Sequence, residues 1–105
     1  MTAGPHRSVY WDDPTMAALL QEYVQRMPEH VQQIQLFLRA NKADELRREL
    51  HQLRGSGRSF GFQEISTLAG VAEELLLMGE PLATAKETIE ALVEYLEQVE
   101  GYGAS

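Results

Sequence analysis

The chain contains no cysteine, which excludes a disulfide framework, thiol chemistry and any zinc site built on thiolates. Long apolar runs are absent as well. The longest unbroken one is Met16–Leu20, where a bilayer span needs about 20 residues. Met1–Ser8 has no apolar stretch of the kind a secretory signal requires, so a cytoplasmic location is expected. Positive charge is nearly missing from the second part of the chain: after Phe62, Lys86 stands alone against nine glutamates. With a formal net charge of −7, neither nucleic acid nor an anionic membrane is an expected partner. No stretch of useful length alternates with period two, so strands are not expected either.

What is present is ordinary for one small soluble domain. The 105 residues are 44% apolar and 24% charged, enough for a single modest core. The charge is unevenly placed. Residues 1–62 carry eight Lys/Arg against seven Asp/Glu, and Arg47, Arg48, Arg54 and Arg58 fall within twelve positions. A local arginine cluster on an acidic chain suits a small anionic site better than a polyanion.

Residues 1–12 have no helical period and are expected as a flexible tail. Asp13-Pro14 is a helix-start signal, a capping residue followed by a first-turn proline. Apolar residues then recur at Met16, Leu20, Tyr23, Met27, Val31, Ile34 and Leu38 in steps of three and four. Pro28 interrupts that stripe without shifting its phase, so either one helix bends there or Pro28 opens a second one. Asn41 is a left-handed cap candidate. Leu46, Leu50, Leu53, Gly57 and Phe60 mark the next helix, with Gly61 as its stop. Ile65, Leu68, Ala69, Ala72, Leu75 and Leu76 mark another that ends near Gly79, with Pro81 beyond. Ile89, Leu92, Val93, Leu96 and Val99 mark the last, before a second flexible tail over 101–105. Short connections between amphipathic helices predict an all-α, antiparallel up-down four-helix bundle over 13–100.

The helix around residue 51 has two chemically distinct faces. At about 100° per residue, Arg47, Arg48, His51, Arg54, Gly55 and Arg58 share one side and the leucines the other. On charge alone, a solvated basic face that includes a histidine is the plainer alternative. Two glycines weigh against it, because each costs about 1 kcal/mol inside a helix relative to alanine. Gly57 falls on the apolar stripe, where it admits a neighbouring helix. Gly55 falls beside His51, where it leaves room for another surface to reach the imidazole. An accessible imidazole ringed by guanidinium groups suits phosphoryl transfer: the neutral ring nitrogen is the nucleophile, and arginines offset the phosphoryl charge.

His51-Gln52-Leu53-Arg54-Gly55-Ser56-Gly57, followed by Ser59-Phe60-Gly61-Phe62, closely resembles the signature of histidine-containing phosphotransfer (HPt) domains. The resemblance runs from about Asp13 to Glu100 and includes Leu46 and the helix from Leu68 to Leu75. It implies a four-helix bundle with an additional short N-terminal helix. It implies that His51 accepts a phosphoryl group from an aspartyl phosphate on a response regulator receiver domain and passes it to another receiver. Arg54 would stand where the family usually carries lysine, with Arg58 and Arg47 beside it as phosphoryl-stabilising groups and Gly55 as docking clearance. Phe60 and Gly61 would complete the packing behind the site. Glu73 matches a position from which some members orient the imidazole with a glutamine; its plainer alternative is a solvated helix residue. A small patch from Met16, Leu19 or Leu20 would serve as a docking surface.

The same resemblance implies a hybrid histidine kinase upstream, no cofactor in this chain and Mg²⁺ on the receiver only; a polar His51 face and a single core favour a monomer. The chain would be a carrier rather than an independent enzyme, since no second catalytic group is placed to act. The alternative is a binding module of the same shape that regulates a receiver or kinase without being phosphorylated. No metal site is expected. His6 and His30 form no ligand set with His51, and Glu87, Glu90, Glu94 and Glu97 lack the accompanying histidines of a di-metal bundle.

Overall fold

The computed structural model describes residues 4–104. It has five α-helices: α1 Ala17–Gln25, α2 Met27–Arg39, α3 Ala43–Ser59, α4 Gln63–Leu77 and α5 Leu82–Glu97. Helices α2 to α5 form a closed ring, each packed against the next and α5 back against α2, while the short α1 leans on α2. Connections of a few residues turn the chain back at each end of the ring, giving the expected up-down bundle. Among the described residues there is no strand, only an isolated parallel bridge between His6 and Val99.

The Met16–Leu38 stripe resolves into two helices rather than one bent one. Arg26 separates them, and Pro28 sits in the first turn of α2, where its missing N–H is one that a helix start leaves unpaired anyway. Leu20, Tyr23, Val24, Met27, Val31 and Ile34 are buried on both sides of the break, so the stripe keeps its phase. The core they join is completed by Leu46, Leu50, Leu53, Phe62, Ile65, Ala69, Ala72, Ile89, Leu92 and Leu96. Three helices end in the same way. Asn41, Gly61 and Gly79 take φ of 56°, 80° and 82°. The following amide in each case bonds back to the carbonyl of Phe37, Gly57 or Leu75, at 2.8, 2.7 and 3.0 Å. These are Schellman closures, which place a glycine or asparagine at the left-handed residue.

At the N-terminal end, the expected helix start is corrected. The Asp13 carboxylate accepts bonds from the Thr15 amide at 2.9 Å and the Thr15 hydroxyl at 2.6 Å, which closes a turn, and α1 starts only at Ala17. The described part of the N-terminal segment is docked on the bundle. The His6 amide bonds to the Gln98 carbonyl and the Glu100 amide to the His6 carbonyl, both at 2.9 Å. The His6 ring stacks on Tyr95 at 3.9 Å. Ser8 is buried and donates its hydroxyl to the Phe60 carbonyl, while the Val9 amide bonds to the Gly61 carbonyl at 3.0 Å. Arg7 pairs with Glu100 and lies over Trp11. This arm straps the ends of α3 and α5 together, and Val99 and Tyr102 pack against the core beneath it. Met1–Ala3 and Ser105, the outer parts of the two expected tails, lie outside the described residues.

Candidate functional site

α3 is amphipathic with leucines inward. Leu46, Leu50 and Leu53 have no exposed surface, so the helical period turns His51 outward, and its side chain is 71% exposed. One ring nitrogen is nonetheless held. Nδ1 lies 2.7 Å from Oε2 of Glu73 on α4. A carboxylate only accepts, so Nδ1 is the donor, and in the neutral ring this tautomer leaves the lone pair on Nε2. Glu73 is not a solvated helix residue: its side chain is 4% exposed. Its second oxygen accepts from Nη1 of Arg54 at 3.2 Å. Each carboxylate oxygen therefore has a charged or ring N–H partner, and no buried side-chain polar atom among the described residues lacks one.

Arg54 also approaches Oε1 of Glu74, at 3.7 Å, and its side chain crosses α4 at Gly70. The α3–α4 seam opens here into a groove whose lining includes His51, Arg54, Gly55, Arg58, Ser66 and Thr67. Val71 and Leu75 add an apolar margin. Gly55 has nothing within 4 Å of where a Cβ would stand, so the approach to His51 is open on that side. Gly57 is the opposite case. A Cβ there would lie 2.8 and 2.9 Å from Ile65 and 3.0 Å from the Ser66 amide nitrogen. The missing side chain lets α3 and α4 approach closely, which brings Glu73 within reach of His51.

The structure thus gathers His51, Arg54, Gly55, Arg58 and Glu73 into one place. Arg47 sits a turn earlier on α3, half-buried, and does not line the groove. Behind the site, Tyr23 of α1 stacks on Phe60 at 4.3 Å and its hydroxyl lies 2.9 Å from the Ser56 hydroxyl. Burial pushes the Tyr23 hydroxyl above its ordinary titration range, and the Ser56 hydrogen bond works the other way. Of the three residues expected to form an apolar docking patch, Leu20 is instead buried, because its face of α1 turns toward the core. Leu19 is exposed and Met16 half-buried.

Two features escaped the sequence pattern. His30 pairs with Glu49 on α3 at 2.5 Å, a contact between helices that spacing within one helix does not reveal. Gly70 was detectable only as a glycine inside an amphipathic helix. No group of three or more potential metal-ligating side chains occurs among the described residues, and none of their helices is long and apolar enough to cross a membrane.

The family model described as "Hpt domain" matches residues 18–102. Among solved structures, the HPT domain from an Hpt sensor hybrid histidine kinase from Shewanella is similar, with a TM-score of 0.75 at 23% sequence identity. The match covers 85% of this chain and 77% of that one. No curated protein matches the chain.

Proposed function

We propose, since the chain belongs to the Hpt domain family, that it is the histidine carrier of a multistep two-component phosphorelay, with His51 as the acceptor. The observation that supports this most directly is the state of the imidazole: exposed on one nitrogen and tied to a buried carboxylate by the other. Nε2 attacks the phosphorus of an aspartyl phosphate on a receiver domain. The N–P bond forms as the P–O bond to the aspartate breaks, and the aspartate leaves as a carboxylate. The ring, still carrying its Nδ1 proton, becomes cationic, and Glu73 stands against that charge. Arg54 and Arg58 neutralise phosphoryl oxygens in the groove, Arg54 through a planar fork rather than the point charge of a lysine. The reverse sequence hands the group to a second receiver.

Gly55 supplies clearance for the docking surface, and Glu73 orients the ring. The Mg²⁺ of such a transfer belongs to the receiver, and this chain supplies no cofactor. Its partners on this account are receiver domains and a hybrid histidine kinase, met in the cytoplasm by a monomer.

The test is incubation with a phosphorylated receiver domain and Mg²⁺, followed by intact mass and peptide mapping. An acid-labile phosphoryl group on His51, lost in a folded His51→Gln variant, is the expected result. Receiver binding with no phosphate on His51 would point to the non-transferring module. Phosphate persisting in His51→Gln would place the acceptor elsewhere.

A further inference from the structure

Gly70 lies in the middle of α4, where glycine is less favourable than any residue but proline. Close packing of α3 on α4 does not account for it, since that approach is made at Gly57. The three atoms nearest to a Cβ on Gly70 all belong to the Arg54 side chain: Nε at 3.4 Å, Cδ at 3.5 Å and Cζ at 3.7 Å. Gly70 lines the groove and is still buried, so the arginine is what covers it. From that position Nη1 of Arg54 reaches the buried Glu73 carboxylate at 3.2 Å.

We propose that Gly70 is a positioning residue for Arg54: the bare turn of α4 is the bed on which the guanidinium lies, and it sets the reach of that group to Glu73 and to the groove beside His51. Contacts of 3.4 to 3.7 Å are ordinary van der Waals distances, so an alanine methyl fits beneath the arginine. With the Arg54 side chain already in van der Waals contact with that methyl, a longer side chain on this buried face competes with the guanidinium for the same space. A larger residue therefore lifts Arg54 away, leaves one oxygen of a 4% exposed carboxylate without its donor and withdraws positive charge from the groove. A lysine at position 54, with a flexible stem and no planar fork, has other paths past a bulky neighbour. Arg54 and the bare turn at Gly70 opposite it therefore act together.

The functional consequence rests on the phosphotransfer reading, so the test in the full chain has two independent readouts. The first needs no phosphate. In a nitrogen-labelled NMR spectrum, the Arg54 Nε–H signal, whose nitrogen lies 3.4 Å from the Gly70 Cβ position, is expected to be shifted from that of a free arginine in the parent and in Gly70→Ala. It is expected to collapse to that of a free arginine in Gly70→Leu, with circular dichroism showing the bundle intact. The second is the rate of transfer to His51 from a phosphorylated receiver domain. The loss should grade with size, under about threefold for Gly70→Ala and about tenfold or more for Gly70→Leu. Arg54→Lys combined with Gly70→Leu should transfer faster than Gly70→Leu alone, a rescue that a merely structural role for Gly70 would not show. If leucine unfolds α4, Gly70→Gln makes the same comparison. An unmoved Arg54 signal in the folded larger variant overturns the assignment, as does equal transfer without any lysine rescue. If the parent takes up no phosphoryl group, the phosphotransfer reading fails while the NMR comparison still decides the role of Gly70.

Discussion

Gly55 and Gly57 stand two positions apart in α3, and alanine at each is expected to move stability in opposite directions. Inside a helix, alanine is favoured over glycine by about 0.5–1 kcal/mol. At Gly55 nothing within 4 Å opposes the methyl, so the gain is retained. At Gly57 the methyl would lie 2.8 and 2.9 Å from Ile65 and 3.0 Å from the Ser66 amide nitrogen. The amide is backbone, and Ile65 is β-branched with no exposed surface, so neither can swing aside and α3 must part from α4. Overpacking costs about 1–3 kcal/mol. After the helix gain, Gly57→Ala is destabilised by up to about 2.5 kcal/mol. The helix gain is common to both variants, so they differ by the overpacking cost alone; at about 4–8 °C of Tm per kcal/mol in a domain of this size, they should melt about 4–24 °C apart. Urea and thermal unfolding followed by helical circular dichroism measure this directly. If both variants shift the same way, or Gly57→Ala matches the parent, close approach of the helices is not what Gly57 provides. Gly55→Ala should meanwhile bind a receiver domain more weakly despite its added stability, because the methyl stands where His51 is approached.

Glu73→Ala should slow phosphoryl uptake more than Glu73→Gln, because glutamine keeps an acceptor oxygen for the ring N–H; single-turnover transfer that is equal in the two variants would refute an orienting role. Both variants should remain folded, with Glu73→Ala losing about 1–2 kcal/mol in urea. At alkaline pH, Tyr23 gives a signed expectation. Burial raises its folded value above the ordinary 10.0, so its contribution is intact below that value and lost as pH rises through the folded one. Tyr95 and Tyr102 are displaced upward too. The Tm should therefore fall as pH rises above about 10, and less steeply in Tyr23→Phe. An identical alkaline slope in that variant would remove Tyr23 from the account.

The fold was largely legible because its determinants are local and periodic. Apolar steps of three and four identify the inward faces. Asn41, Gly61 and Gly79 stop helices by a conformation that few other residues adopt, and the structure shows the positive φ at all three. The outward direction of His51 follows from the same period. The parts that were not legible depend on partners distant in the chain. Ser8 is buried because the Phe60 carbonyl, far along the sequence, accepts its hydroxyl, and no pattern within residues 4–12 encodes that. Likewise, a glutamate on a helix is by composition a surface residue, and Glu73 is buried only because α3 presents both His51 and Arg54 to it.

The glycines of the α3–α4 seam show why locating a residue differs from assigning it. By propensity alone, Gly55, Gly57 and Gly70 are the same anomaly, a weak helix former inside a helix. Periodicity separates Gly57, on the buried stripe, from Gly55, on the exposed face. It cannot interpret Gly70, which is buried by an arginine from another helix rather than by the core. What distinguishes the three is what a Cβ would meet: nothing at Gly55, an isoleucine and a backbone amide at Gly57, and the Arg54 side chain at Gly70. Clearance and side-chain placement, as proposed for Gly55 and Gly70, and helix approach at Gly57 would thus all be met along one helix seam by the same omitted atom. The helix propensity forgone at each position is offset by a different requirement, which is why substitutions at the three sites should separate stability from transfer in three different ways.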